Sequence, residues 1–160
     1  MRMLMPFLKI PHIRQKANSD CLVACAAMML AAVNVKVDYH RLLTLLRFED
    51  EGIPYSRLKL LTRIRSDLHI ILQQGDLQHL LTAIDAGTPP AGFVFTGELP
   101  YWSEAVYHSV VLVGYTATEF LIHDPAFAHA PQVVAMSDLD LAWLEYDCYF
   151  AIVQRRNQSS

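Results

Sequence analysis

The sequence predicts a single α+β domain, in which a helical N-terminal half precedes an antiparallel β-sheet. Three observations predict it. Apolar residues recur mostly at helical spacing up to Ala86, whereas after Gly87 they form short runs rich in β-branched and aromatic residues. The chain has 160 residues, a usual length for one domain, and 53% of them are hydrophobic, which is enough to bury a sizeable core. Helices first and strands second, in a chain of this size, favour the α+β class.

Four helices are predicted before Gly87. The first runs from Cys21 to about Val33 behind Asp20 as its N-cap, and none of its faces carries a charge, which is typical of a central buried helix. Each of the other three has a residue that commonly starts a helix. They are predicted after Asp38 through Leu46, from Pro54 to about Arg65, and after Asp76 up to the C-terminal glycine Gly87.

One short strand is predicted at 68–72, between the third and the fourth helix. Five more strands are predicted after Gly87, and a short helix at about 138–144 interrupts them. Those five strands are predicted at 92–96, 108–115, 120–123, 133–136 and 149–154.

Composition and charge exclude several classes of protein. The 13 Lys and Arg residues against 16 Asp and Glu give a net charge of −3, without the basic excess of a nucleic-acid binder. Three cysteines cannot form a disulfide framework, which favours a reduced compartment. The longest apolar run, at 21–33, is too short to span a bilayer, and the stretch after Arg2 lacks a signal-peptide cleavage site. We therefore expect a soluble, cytoplasmic protein with no nucleic-acid partner and no membrane span.

Cys21 is the cysteine whose predicted surroundings best stabilise a thiolate. It falls in the first turn of its helix, where unpaired N–H groups and the helix dipole favour negative charge. Cys25 lies one turn further into an apolar helix, where burial favours the neutral thiol, and Cys148 begins a late strand. Cys21 is therefore the candidate nucleophile; the alternative is that it is a small buried hydrophobic residue.

The register of a predicted hairpin supplies a candidate general base. The strands at 108–115 and 120–123 flank a short Thr/Ala turn, and the midpoint between His108 and Asp124 falls in that turn. Residues related in this way face each other on one side of an antiparallel hairpin, so Asp124 is expected to orient the imidazole of His108. A one-residue bulge would instead bring His123 to that side. The alternative is a polar residue that enters a buried strand and a turn residue that ends one.

Two further parts of the sequence are candidates for the same site. Gln15 lies six residues before Cys21, and its side-chain amide together with the Cys21 N–H could stabilise an oxyanion; the alternative is a surface glutamine. The loop at 97–103 carries Tyr101 and Trp102, which either form a wall of a substrate groove or cover the sheet.

These residues resemble those of the bacteriocin-processing cysteine peptidases, papain-like enzymes that cleave leader peptides after a double glycine. The resemblance implies a papain-like fold, with a central catalytic helix packed on the C-terminal sheet, in one domain spanning 1–160 with an ordered core at about 10–153. It rests on Gln15, on the pair Asp20-Cys21, on Tyr-His-Ser-Val-Val-Leu-Val-Gly-Tyr at 107–115 and on His-Asp-Pro-Ala at 123–126.

Carried over by position, the resemblance implies that Cys21 is the nucleophile, His108 the general base, Asp124 the orienting carboxylate and Gln15 the oxyanion donor. It implies a cysteine peptidase that needs no cofactor, acts on a peptide or protein and has a possible partner in a peptide-export system. Leu22 departs from the family, which usually has glycine there, and its side chain is expected to narrow the approach to the thiol. Many relatives are N-terminal domains of transporters, whereas this chain ends at Ser160 without a transmembrane segment, so it is expected to be like the stand-alone members.

The same residues could support other chemistries. Cys21 and Cys25 could bind zinc with His123 or His129, but structural zinc sites usually need a second cysteine pair, so no metal is expected. A thiol acyltransferase would use the same site, with an amine or thiol in place of water. A catalytically inactive peptide-binding domain, which Leu22 favours, and a structural partner of a larger assembly are the remaining alternatives.

Overall fold

The computed structural model describes residues 6–46 and 54–156. Residues 1–5, part of the stretch considered for a signal peptide, and both ends of the predicted 1–160 domain lie outside the described residues. Helices and strands follow one another in the order α1 (Cys21–Ala32), α2 (Tyr39–Leu46), a 3₁₀ helix (Tyr55–Arg63), β1 (Leu68–Gln74), α3 (Leu77–Asp85), β2 (Ala91–Phe95), a short 3₁₀ helix (Thr96–Glu98), β3 (Tyr107–Tyr115), β4 (Glu119–His123), β5 (Gln132–Ala135), α4 (Met136–Leu144) and β6 (Tyr149–Arg155).

The strands form one antiparallel sheet in the order β1-β6-β2-β3-β4-β5. This confirms the predicted α+β class. β6 lies between β1 and β2, and it pairs with β1 along its whole length, from Leu68 opposite Arg155 to Gln74 opposite Tyr149. That pairing carries β1 two residues beyond its predicted end, because residues 73 and 74 still have partners in β6.

Two apolar layers cover the two faces of the sheet. One contains α1, α2 and the long 3₁₀ helix, and the other contains α3 and α4. Every residue of α1 from Leu22 to Leu30 is buried, as its uncharged sequence predicts. Among the helices of residues 6–46 and 54–156, none combines the length and the apolar character needed to cross a membrane.

The predicted start signals are confirmed for α2, where the Asp38 carboxylate accepts a 3.2 Å hydrogen bond from the Arg41 N–H, and both start and end signals are confirmed for α3. The Asp76 carboxylate accepts a 3.1 Å hydrogen bond from the His79 N–H, and the chain leaves the helix at Gly87 with a φ of 80°. The segment after Pro54, predicted to be α-helical, is a 3₁₀ helix. Its buried residues Leu58 and Leu61 are three apart, the spacing at which side chains align in a 3₁₀ helix.

The segment that precedes α1 packs along β3. The Leu8 N–H donates to the Val113 carbonyl at 2.7 Å, and Phe7 bridges Gly114. The backbone comes so close that a Cβ atom on Gly114 would lie 2.6 Å from the Pro6 carbonyl oxygen, a distance that no side chain tolerates. Glycine at this position therefore lets the N-terminal segment reach the strand that carries His108.

Candidate active site

Of the two residues predicted to be partners, His108 lies on β3 and Asp124 directly follows β4, and these strands pair in a register that differs from the predicted one. Near the turn Gly114 stands opposite Leu121, and beyond a bulge in β3 Val111 stands opposite His123. Extended by one residue, this pairing places position 124 opposite position 110 instead of 108. The predicted register is therefore wrong by two positions.

The bulge brings Asp124 to the side of the hairpin that carries His108. Pairing continued from the turn without a bulge would place Asp124 opposite Val111, whose side chain and that of His108 point to opposite faces. The extra residue in β3 moves Asp124 opposite Val110, which shares a face with His108. The prediction that a bulge would bring His123, and not Asp124, to the side of His108 is thus wrong. That prediction assumes the expected register at the turn, whereas the observed register at the turn already differs from it by an odd number of residues.

His108 and Asp124 are in direct contact. His108 Nε2 lies 2.7 Å from Asp124 Oδ1, and both side chains are buried. The second carboxylate oxygen, Oδ2, accepts hydrogen bonds from the Tyr101 hydroxyl at 2.6 Å and from Trp102 Nε1 at 2.9 Å. Both rings pack against the apolar layer of α3 and α4, so they cover the sheet as one prediction has it. Neither the prediction of a groove wall nor that of a cover for the sheet includes the hydrogen bonds of Tyr101 and Trp102 to the Asp124 carboxylate.

The thiol of Cys21, the first residue of α1, lies close enough to His108 and Ser109 for both residues to act on its ionisation. Burial raises the pKa of this thiol, but the hydrogen bond and positive charge of His108, with the contribution of Ser109, outweigh it and hold the pKa below its ordinary value. Burial likewise lowers the pKa of His108, and the hydrogen bonds and charges of Asp124 and Cys21 raise it to about 9. A lowered thiol pKa beside a raised imidazole pKa favours a thiolate–imidazolium pair over the neutral pair.

The other two cysteines differ from Cys21 in ionisation. Cys25 is fully buried and donates through Sγ to Ser109 Oγ at 3.5 Å; burial, and then the charge of Cys21, raise its pKa well above the ordinary value. Burial also raises the pKa of Cys148. Sequence reasoning did not find Ser109. The available signal is its place next to His108 on β3, where alternation turns it toward the layer of α1.

Asp20 occupies the N-cap position of α1, but its side chain does not cap the helix. The buried carboxylate accepts hydrogen bonds from the Lys16 N–H at 3.0 Å, from the Ala17 N–H at 2.8 Å and from the Tyr39 hydroxyl at 2.7 Å. The predicted cap is therefore wrong in its contacts, because the preceding turn and α2 occupy the carboxylate. The first N–H groups of α1, beside the Cys21 thiol, are left without a side-chain acceptor in the described part of the chain.

Gln15 lies in the loop held by Asp20. Its backbone N–H donates to the Pro125 carbonyl at 2.9 Å, which ties this loop to the residue after Asp124. Its side-chain Nε2 donates to the Ala17 carbonyl at 2.8 Å, and Oε1 is buried without a partner in the described residues. The described residues show no hydrogen bond between this amide and Cys21, so its predicted role as an oxyanion donor stays a prediction.

Aromatic side chains and Leu22 complete the surroundings of the thiol. The rings of Tyr107 and Tyr146 meet edge to face with centroids 4.8 Å apart, and Tyr107 is 60% exposed. Burial raises the pKa of Tyr146 to about 12, and the charge of the nearby Cys21 thiolate contributes to this rise. Leu22 is only 3% exposed and packs in the apolar layer of α1.

The described residues offer no arrangement for a metal, and a cleft that they form lies away from this site. No group of three or more His, Cys, Asp and Glu residues within 6–46 and 54–156 is placed to hold a metal ion. A cleft of about 800 Å³ lies by Val33, at the far end of α1 from Cys21, with Asp67, His69 and Arg155 among its lining residues. None of the candidate site residues lines it, so it contributes nothing to the chemistry at Cys21.

Comparisons with known proteins identify chains of similar sequence and fold. A sequence model of the peptidase C39 family matches residues 9–152. Among solved structures, a C39-like peptidase from Bacillus anthracis is similar with a TM-score of 0.80 and 18% identity, over 98% of this chain and 100% of that one. Curated protein sequences give no match.

Two further solved structures come from transporters. The peptidase domain of Streptococcus ComA, a bi-functional ABC transporter involved in a quorum-sensing pathway, is similar with a TM-score of 0.72 and 14% identity, over 90% of this chain and 97% of that one. A double glycine motif protease from an AMS/PCAT transporter, solved in complex with the leader peptide, has a TM-score of 0.69 and 18% identity, over 96% and 99%. The likeness to these folds confirms the predicted papain-like architecture.

Proposed function

The chain belongs to the peptidase C39 family, and from this we propose that it is a cysteine peptidase, acting as a single domain through Cys21, His108 and Asp124. One observation carries the proposal. His108 acts on the Cys21 thiol and lowers its pKa, and His108 Nε2 lies 2.7 Å from the Asp124 carboxylate. This supports the roles of nucleophile, base and orienting group that nucleophilic catalysis by a thiol requires.

The proposed reaction proceeds through an acyl-enzyme. The Cys21 thiolate attacks the peptide carbonyl carbon, a C–S bond forms, and the carbonyl oxygen becomes an oxyanion. The His108 imidazolium gives its proton to the leaving amine as the C–N bond breaks, which leaves a thioester. Water then attacks the thioester while His108 takes one of its protons. Loss of the C–S bond releases the acid and restores the thiolate and imidazolium, with Asp124 orienting the ring throughout.

We assign the oxyanion to the start of α1 and to Gln15. The Asp20 carboxylate is held by the preceding turn, so the Cys21 N–H has no side-chain competitor for an incoming oxygen in the described residues. Gln15 uses one amide hydrogen for the Ala17 carbonyl and has a second one for a ligand. A Gln15→Ala change is expected to lower kcat by about 100-fold, the usual effect of removing one such donor, while Cys21 alkylation stays unchanged.

The proposed substrate is a leader peptide ending in a double glycine, and the proposed partner is a peptide-export system. One structural neighbour is a double glycine motif protease bound to a leader peptide, and another is the peptidase domain of an ABC transporter. The exposed ring of Tyr107 packs edge to face on the half-buried ring of Tyr146, on which the Cys21 charge acts, and the two offer an apolar surface of the kind that peptides bind.

Two alternatives use the same groove. A peptide-binding domain without catalysis is favoured in the sequence by Leu22, but that side chain is buried in the core, and a binding domain has no use for a thiol of lowered pKa. An acyltransferase would form the same thioester and pass the acyl group to an amine or thiol instead of water. The mass of the acyl product distinguishes transfer to water, which gives a free acid, from transfer to an amine or a thiol.

The testing experiment measures alkylation of each cysteine by iodoacetamide as a function of pH, in the wild type and in His108→Ala. Cys21 is expected to react well below the ordinary thiol pKa of about 8.5, and His108→Ala is expected to remove that reactivity at low pH. Cys25 and Cys148 serve as internal references, because their pKa values are raised. Reaction of Cys21 with the pH dependence of Cys148 would overturn the proposal.

A cleavage assay completes the test. A peptide with a Gly-Gly sequence is incubated with the wild type, with Cys21→Ala and with Cys25→Ala, which removes a thiol one turn further along the same helix. Cleavage is expected in the wild type and in the Cys25 variant only. Cleavage by Cys21→Ala at the wild-type rate would exclude the assigned nucleophile.

A further inference from the structure

We propose that Tyr101 and Trp102 are positioning residues that hold the Asp124 carboxylate with Oδ1 directed at His108. The inference rests on the proposed function, since it concerns how the same site keeps its imidazole charged and aligned. Neither residue is expected to touch the substrate's reacting atoms. Both act through Asp124, by hydrogen bonds to the oxygen that His108 does not use.

The four donors around Asp124 divide evenly between its two oxygens. Oδ1 faces His108 Nε2 at 2.7 Å and accepts from the Ala126 N–H at 2.9 Å. Oδ2 accepts from the Tyr101 hydroxyl at 2.6 Å and from Trp102 Nε1 at 2.9 Å. A carboxylate has about four acceptor positions, so this one is saturated. Because the residue is fully buried, any rotation away from His108 would break hydrogen bonds that no solvent could replace.

The rings that carry these donors are themselves fixed. Both meet the ring of Phe127 edge to face, with centroid distances of 5.2 Å for Tyr101 and 5.1 Å for Trp102. The Trp102 ring also lies edge to face with His108 at 4.9 Å, and its backbone N–H donates to the Leu99 carbonyl at 3.1 Å. Trp102 therefore constrains both His108 and Asp124: its ring packs against the His108 imidazole, and its indole N–H donates to the Asp124 carboxylate.

The chemistry of the donors suits the role. A phenol and an indole stabilise the carboxylate without adding a positive charge, so the imidazolium of His108 remains its charged partner. Burial raises the pKa of Asp124, whereas the interactions with His108 and then the Tyr101 hydrogen bond hold it below its ordinary value. Burial and the Asp124 charge raise the pKa of Tyr101, so the phenol stays protonated and continues to donate.

Three titratable groups of the described residues form hydrogen bonds with Asp124: His108 and Tyr101 at the carboxylate, and His12, whose Nε2 lies 2.9 Å from the Asp124 backbone carbonyl. The buried thiol of Cys25 is near enough for the Asp124 charge to raise its pKa. Since His12 contacts the main chain of Asp124 and not its carboxylate, loss of the donors to Oδ2 is expected to change the titration of His108 first.

The test uses two single variants and a matched control. Tyr101→Phe and Trp102→Phe each remove one donor and keep an aromatic ring. Tyr115→Phe removes a hydroxyl that donates to the Asp85 carboxylate at 2.8 Å, the same kind of pair away from the site. The readouts are the titration of the His108 ring by NMR and the pH dependence of Cys21 alkylation; neither needs a substrate.

We expect the pKa of His108 to fall by about one unit in each positioning variant, because the imidazolium loses an aligned partner. Cys21 alkylation near pH 6 should fall about tenfold with it, and Tyr115→Phe should match the wild type. Lower melting temperatures with wild-type titrations would mean that the two residues only hold the loop, and would overturn the inference. Should Trp102→Phe fail to fold, Tyr101→Phe, which loses a single oxygen atom, decides alone.

The same data separate this inference from the proposed function. If the wild type cleaves no peptide but the two titrations shift as expected, the positioning role stands and the peptidase does not. If the wild type cleaves peptides and the titrations do not shift, the peptidase stands and the positioning role is excluded.

Discussion

The Tyr39 hydroxyl donates a 2.7 Å hydrogen bond to the Asp20 carboxylate and so joins α2 to the loop before Cys21. The same carboxylate accepts two backbone N–H groups of that loop, from Lys16 and Ala17. A buried negative group is thus kept off the helix end, where it would compete with the charge that a reacting carbonyl develops there. The stability of this loop and the reactivity of the site should therefore change together.

Asp20→Ala is expected to lower the free energy of unfolding by about 3 kcal/mol, since the N–H groups of Lys16 and Ala17 and the Tyr39 hydroxyl lose their buried acceptor. Peptide turnover should fall as well, because the loop that carries Gln15 is released. Asp38→Ala is the matched control: Asp38 also precedes a helix, but its exposed carboxylate accepts only the Arg41 N–H, and its loss should cost about 1 kcal/mol with turnover unchanged. Urea unfolding and steady-state kinetics measure both, and equal effects of the two changes would contradict the prediction.

The pH dependence of kcat/KM should be bell-shaped, with its alkaline limb near pH 9. The limb arises because His108, whose pKa is raised to about 9, loses the proton that the leaving amine requires. The acid limb reports protonation of the Cys21 thiolate and should lie below the ordinary thiol pKa of about 8.5. In stability, the raised pKa of His108 contributes fully below its ordinary value of 6.5, and the contribution is lost as the pH rises through about 9. An alkaline limb near pH 6.5 would show that Asp124 and Cys21 do not raise the pKa of His108.

Gly114→Ala should destabilise the protein by about 2 kcal/mol, because the added Cβ would lie 2.6 Å from the Pro6 carbonyl oxygen and force the backbone apart. Gly92→Ala, on the neighbouring strand, meets only the flexible end of Leu112 at 3.3 Å and should cost less than about 1 kcal/mol. Thermal unfolding of the two variants side by side provides the measurement. The close approach in β3 would be refuted by equal melting temperatures.

Leu22→Ala tests what the residue after Cys21 does. The side chain is buried in the core, so its truncation should cost about 3 kcal/mol of stability. The rate of Cys21 alkylation by a small reagent should stay within about twofold of the wild type, measured well below the melting temperature. A large increase in that rate would instead support the prediction from sequence that Leu22 narrows the approach to the thiol.

Local sequence patterns predicted the parts of the molecule that local forces determine. The uncharged run of α1, the capping of α3 by Asp76 and the turn at Gly87 all follow from spacing and from the chemistry of helix ends. The contact between His108 and Asp124 was also expected, although from a register displaced by two positions. An error of an even number of residues keeps side chains on the same face, which is why the contact was still found.

The remaining features of the site depend on contacts that no local pattern encodes. Asp20 has the sequence position of a helix cap, and only the distant Tyr39 and the turn before it explain why its carboxylate points elsewhere. Tyr101 and Trp102 could be placed near the site, but a sequence does not tell which buried acceptor a phenol or indole will find. The long 3₁₀ helix after Pro54 likewise follows from how its residues pack, since its apolar spacing fits an α-helix as well.

The position of β6 in the sheet has a consequence for how the chain is made. Synthesis produces β1 and β2 well before the residues at 149–155, yet β6 must insert between those two strands to complete the sheet. Until it does, an emerging chain exposes two unpaired strand edges, which are prone to association and suited to chaperone binding. The layer of α1 also lacks the β6 residues Ala151 and Val153 until then. Completion of the sheet and of the apolar layer that holds α1 is therefore expected to wait until the ribosome has passed the codon for Arg155.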